Sequence, residues 1–174
     1  MKRLYAPWRH DYVNKFHTPD KLNHNNTKDK KVCVFCENFK DNHDEKHFII
    51  KRFNSTVLMM NFYPYNVGHV MILPLEHKGE LADLSLQTRT ELMEILTLSM
   101  PILKEALNAQ GFNVGINLGI AGGGGIPHHL HIHVLPRWLG DTNFLESIGQ
   151  IKLLSSDFQK IYLKLKEKFG IITL

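Results

Sequence analysis

Three histidines alternate with aliphatic residues in His129-Leu130-His131-Ile132-His133-Val134-Leu135. An extended chain turns successive side chains to opposite faces. The spacing therefore puts three imidazoles on one face and sends Leu130, Ile132 and Val134 towards a core. Such a face suits metal ligation, nucleophilic attack, or both. A neutral imidazole attacks phosphorus, and the bond it makes is labile enough to pass the group on. Just upstream, the stretch from Gly119 to Gly125 includes Gly122-Gly123-Gly124-Gly125. Backbone N–H groups of such a loop can approach phosphoryl oxygens closely; the bland reading is a flexible hairpin loop beside exposed histidines. The two cysteines, Cys33 and Cys36, form a C-x-x-C pair. In a reducing compartment that spacing favours a metal knuckle or a redox pair over a structural disulfide, and no βαβ pattern follows to support a thioredoxin-like site.

These residues need elements to hold them. Short apolar or β-branched runs bounded by Asn, Pro or Gly predict strands from His47 to Phe53, Thr56 to Asn61 and Gly68 to Leu73, with Tyr63-Pro64-Tyr65-Asn66 as a turn. Leu92, Ile95, Leu96, Ser99, Leu103, Ala106 and Leu107 recur at helical steps. They predict one long helix from about Leu84 to Ala109, with Pro101 as a kink or break and Gly111 as its stop. Two more strands are expected from Phe112 to Leu118 and His129 to Leu135. A terminal helix from Phe158 to Phe169 has Phe158, Ile161, Tyr162, Leu165 and Phe169 on one face. The order points to an α+β fold with an antiparallel sheet of about five strands, one long helix and a C-terminal helix. Residues 1–31 read as an arm and loop, Phe39 to Lys46 as polar loop, and residues 32–174 as a single domain.

At 174 residues, with 43% hydrophobic and 22% charged residues, the composition is that of a globular protein. A net charge of +4 suits an anionic small substrate and is too mild to argue for nucleic acid. No apolar run reaches membrane-span length, and Met1-Lys2-Arg3 leads into Trp8-Arg9-His10-Asp11 rather than an apolar signal core. The default location is the cytoplasm.

His129 to Arg137 resembles the signature of the histidine triad superfamily of nucleotide hydrolases and transferases. Asn61, followed eight residues later by His69 in Gly68-His69-Val70-Met71-Ile72, resembles its nucleoside-binding segment. Leu4 to Arg9 and Pro136 to Phe144 are similar to the branch of bacterial diadenosine tetraphosphate phosphorylases (ATP adenylyltransferases). The resemblance implies that His131 is the nucleophile, that His133 contacts the phosphates or leaving group, and that His129 orients the nucleophile or binds metal. It places Asn61 on ribose, with His69, Asn117, Gly124, Gly125 and Trp138 on the nucleotide. Where the family often carries Gln or Ser before the triad, this chain has Gly125-Ile126, so a side-chain donor is missing unless His128 supplies it. Zinc-bearing relatives imply a closed, structural site on Cys33, Cys36, His77 and His129. Rivals are His43 or His47 as ligands, or a thiol pair with no metal.

The expected activity is nucleotidyl transfer or hydrolysis on a dinucleoside polyphosphate through a covalent nucleotidyl-histidine, with Mg²⁺ carried on the substrate. The resemblance also implies a homodimer or larger homo-oligomer. Alternatives are a nucleoside phosphoramidase and a non-catalytic nucleotide- or zinc-binding module. Phe62, Tyr63, Tyr65 and Trp138 are candidates to stack on adenine, although such aromatics more often serve cores and interfaces.

Overall fold

The computed structural model describes residues 32–149, 154 and 156–172; the arm read over residues 1–31 lies outside them. Five strands form one antiparallel sheet in the order β1-β2-β3-β5-β4: β1 (Ile49–Arg52), β2 (Thr56–Met60), β3 (Val70–Pro74), β4 (Gly111–Ile116) and β5 (Ile132–Arg137). The α+β architecture expected from the sequence is present. Helices α1 (Val34–Lys40), α2 (Leu86–Leu107), α3 (Phe144–Gly149) and α4 (Phe158–Gly170) complete it.

Period-two patterning sorts the strand residues between two apolar clusters. Leu58, Met60, Val70, Ile72, Leu130, Ile132 and Val134 face α2 and α4. Val57, Met59, Met71 and Leu73 face the other way, with Phe35 of α1. Both faces of β2 and β3 are thus covered, which is why these strands read as continuous apolar runs.

The long helix begins at Ser85, whose hydroxyl accepts from the Thr88 N–H at 3.0 Å. It buries Leu92, Ile95, Leu96, Leu103 and Ala106 and runs through Pro101, which sits on its exposed side. The end comes at Leu107, not Ala109, and the stop is Asn108 in the left-handed region (φ 54°) rather than Gly111. Buried Glu91 accepts from the Ser55 N–H, the Ser55 hydroxyl and the Thr56 hydroxyl at 2.8–3.0 Å, tying the helix to the β1–β2 turn. In α4, Tyr162, Leu165 and Phe169 are buried, and the Tyr162 hydroxyl donates to the Ile49 carbonyl.

Two strand starts depart from the sequence reading for identifiable reasons. The first strand starts at Ile49 rather than His47, because Phe48 adopts a left-handed backbone (φ 54°) and the Ile49 N–H bonds back to the Asp44 carbonyl. The histidine strand starts at Ile132: the Leu130 N–H is taken by the Lys78 carbonyl, and pairing to β3 and β4 stops at Ile132. Only His133 of the triad therefore lies in the ladder, yet the alternation persists through Leu130. Finally, α1 overlaps the start of the stretch read as loop, and α3 has no counterpart in the periodicity.

Candidate active site and metal centre

Hydrogen-bond partners fix which nitrogen of each histidine carries its proton. His131 Nδ1 lies 2.8 Å from the His129 carbonyl, which can only accept. A proton is therefore on Nδ1, and the neutral tautomer that fits this bond has its lone pair on Nε2. His69 Nδ1 accepts from the Tyr65 N–H at 3.1 Å, and the Asn61 amide nitrogen faces it at 3.3 Å. Asn61 is oriented for this because its carbonyl oxygen accepts from the Tyr63 N–H. His69 must then carry its proton on Nε2, which donates to His133 Nδ1 at 2.9 Å. Burial pushes His69 down to about 3 and His133 to about 4, with neighbouring imidazoles adding to each. Both are neutral at pH 7, so His133 carries its single proton on Nε2. That atom is buried and has no partner among the described residues. A polarised N–H donor is held beside the His131 ring, the two ring centroids 4.8 Å apart.

Both rings open into a cavity of about 420 Å³. Its apolar walls come from Val34, Phe35, Phe48, Met59 and Phe62, and its polar lining includes Asn38, Asn61 and Asn117. Phe35 packs against His129 and His131 at 5.4 and 5.5 Å between centroids. The glycine loop reaches the cavity through Gly123 and Gly125. Gly123 and Gly124 spend their N–H groups inside the loop, on Ile120 and Gly119, whereas the Gly125 N–H has no partner among the described residues. Gly124 is buried within the loop rather than lining the cavity.

Trp138 is placed elsewhere: it donates to the Leu107 carbonyl and lines a separate cavity of about 540 Å³ with Asn108 and Lys164. His128 is exposed and is not part of the cavity lining. Phe62, Tyr63 and Tyr65 do line it and remain largely exposed, with Tyr65 against His69 and His133. The sequence reading passed over Phe35 and Asn38. Their only signal is the helical spacing of positions 34, 35 and 38 across the C-x-x-C pair.

Cys33, Cys36, His77 and His129 converge, their ligand atoms all within 4.8 Å of one another. Cys33 Sγ and Cys36 Sγ lie 3.4 and 3.5 Å from His129 Nδ1, and Cys36 Sγ lies 3.3 Å from His77 Nδ1. A tetrahedral zinc with bonds of about 2.3 Å to sulfur and 2.05 Å to nitrogen has S···N edges of about 3.6 Å, so this donor set fits. His129 Nε2–H donates to the Pro74 carbonyl at 2.9 Å, which leaves Nδ1 free to ligate. Burial, with Cys33 alongside, pushes the Cys36 thiol up, so a pair of thiolates here calls for a cation. His43 and His47 instead face Asp41, outside the cluster.

Comparison with known proteins follows this geometry. The HIT domain model matches residues 42–138. Over 154 residues the chain is 36% identical to the AP-4-A phosphorylase of Mycobacterium tuberculosis, covering 88% of this chain and 77% of that one. It is 23% identical over 123 residues to the asymmetrical bis(5'-nucleosyl)-tetraphosphatase of Schizosaccharomyces pombe, covering 70% and 67%. The fold is similar to the crystal structure of a zinc-bound histidine triad family protein from Mycobacterium smegmatis, with a TM-score of 0.66 and 24% identity over 80% of this chain and 94% of that one.

Proposed function

The chain belongs to the histidine triad (HIT) family, and from that premise we propose that it transfers the nucleotidyl group of a dinucleoside polyphosphate to phosphate or water. The observation that carries this reading is the buried Nε2–H of His133, without a partner among the described residues, beside the Nε2 lone pair of His131. His131 Nε2 attacks the α-phosphorus, making an N–P bond as the P–O bond to the departing nucleotide breaks. His133 Nε2–H donates to that departing oxygen. Orthophosphate or water then gives a proton to His133 Nε2, bonds to phosphorus and displaces His131. The Gly125 N–H is available to a phosphoryl oxygen, and Asn61 to the ribose. Mg²⁺ accompanies the polyphosphate as part of the substrate.

Zinc on Cys33, Cys36, His77 and His129 would supply four closed bonds and no open position, which is structural chemistry. On this reading it fixes His129, whose carbonyl orients the nucleophile. The AP-4-A phosphorylase likeness favours phosphate as acceptor.

Incubation with diadenosine tetraphosphate, with and without orthophosphate, tests the activity. ATP and ADP formed only with phosphate mean phosphorolysis; ATP and AMP formed without it mean hydrolysis. His131→Ala should abolish turnover while the fold is retained, and turnover by that variant would falsify the nucleophile assignment. Wild-type protein that binds AMP but turns over neither the dinucleotide nor adenosine phosphoramidate is a binding module.

A further inference from the structure

Resting on the reading that this cavity takes a nucleotide, we infer that Asn38 reads the edge of its base, and that the base it suits is a 6-aminopurine. Positions 34, 35 and 38 fall on one face of α1, and all three line the cavity. Val34 and Phe35, with Phe48, Met59 and Phe62, supply apolar surface for a flat ring. Several other polar groups of the cavity have partners or lie with the triad. Asn61 orients His69, while His47 and Lys46 both face Asp41 Oδ2, at 3.0 and 3.4 Å. Asn117 leads into the glycine loop. Asn38 and Asn117 are both half-buried carboxamides with no hydrogen bond among the described residues, and of the two Asn38 is the one on the α1 wall, beside Val34 and Phe35. Amide groups left unpaired beside apolar walls are costly unless a ligand supplies partners.

A carboxamide presents one donor direction and one acceptor direction side by side. Adenine offers the complement, its 6-amino N–H next to a ring nitrogen. A flipped amide would also meet the O6 and N1–H of guanine. The 2-amino group of guanine, however, would then lie on the same edge among Val34, Phe35, Met59 and Phe62, with no acceptor from those side chains. The reader is held firmly for so short a helix. Cys33 is its N-cap and Cys36 lies in its first turn, both in the metal cluster, while Phe35 rests on two triad rings.

The test is calorimetric binding of AMP, purine riboside 5'-monophosphate (which lacks the 6-amino group) and GMP to the full chain and to Asn38→Ala and Asn38→Asp. Wild type should bind AMP about 10-fold more tightly than the purine riboside monophosphate, the discrimination one good base-edge contact provides. In Asn38→Ala the two should bind within roughly 2-fold of each other. The nearly isosteric Asn38→Asp, which only accepts, should shift preference towards GMP and its two N–H donors. Equal binding of AMP and the purine riboside monophosphate by wild type, or undiminished discrimination in both variants, overturns the inference and leaves the nucleotide reading intact. Binding of none of the three by wild type overturns both.

Discussion

His133 takes its tautomer from its neighbours. The Tyr65 N–H sets the tautomer of His69, His69 sets that of His133, and the remaining proton points into the cavity. A group that only assists departure of the leaving oxygen matters less when that oxygen leaves easily. His133→Asn should therefore lower kcat on diadenosine tetraphosphate by about 10²–10³-fold. On the p-nitrophenyl ester of AMP the loss should be under about 10-fold, and equal losses on both substrates would remove the general-acid role. The same burial links stability to pH. His69 and His133 titrate at about 3 and about 4 in the fold, against 6.5 without it. Between those values the unfolded chain binds more protons, so their contribution is fully present above about pH 6.5 and is lost as pH falls towards 4. Urea midpoints at pH 7.5 and 5.0 should show this loss in wild type and a smaller one in His69→Gln.

At the scale of elements, the glycine loop and α1 both line the site's cavity. Gly122 lies tight within its loop: an added Cβ would sit 2.3 Å from the Leu118 carbonyl oxygen. Gly122→Ala must move backbone, and should cost about 1–3 kcal/mol and most of the turnover. Gly125 faces open space, with no heavy atom near its missing Cβ. Gly125→Gln should leave Tm unchanged and, by restoring a side-chain donor, raise kcat on the dinucleotide up to about 10-fold. A fall in kcat with an intact fold would show that the backbone N–H already suffices. For α1, seven residues are too few for a helix to stand alone, so its place depends on what anchors it. Zinc at roughly 1,000 times its Kd stabilises by about 4 kcal/mol, about 10 °C in Tm at this chain length. Cys36→Ser should lose bound metal by elemental analysis together with that increment; full metal content in the variant would exclude Cys36 as a ligand.

For the whole molecule, the sheet leaves β4 at one edge, paired only to β5 among the described residues. Val114 at that edge is 45% exposed, and Leu118 and Ile120 beyond it are also exposed. An unpaired apolar edge is a template for another strand, which fits the homodimer or larger homo-oligomer that the family resemblance implies, and we propose a dimer across this edge. Val114→Lys should reduce the mass in sedimentation equilibrium from twice the 20.1 kDa chain to the chain itself, and a wild type already monomeric would end the proposal. No helix among the described residues is long and apolar enough to cross a membrane. Much of this architecture is legible in the sequence, because period two and period 3.6 are local properties. The five short strands, the long helix and the C-terminal helix follow from them, and the alternating histidines share one side even though the ladder starts only at Ile132. Strand limits are less legible, because they depend on Phe48's left-handed backbone and on the bond from Leu130 to Lys78. Which nitrogen of His133 carries a proton, where Trp138 sits and what Asn38 faces depend on partners distant in the chain, such as His69 from His133 and Leu107 from Trp138. The sequence by itself determined which residue types alternate and which faces they share, since backbone geometry carries that information from each residue to the next. Only the tertiary structure decided which ring nitrogen of each imidazole carries its proton and which imidazole faces the thiols, because those properties arise from contacts made when distant segments close on one another.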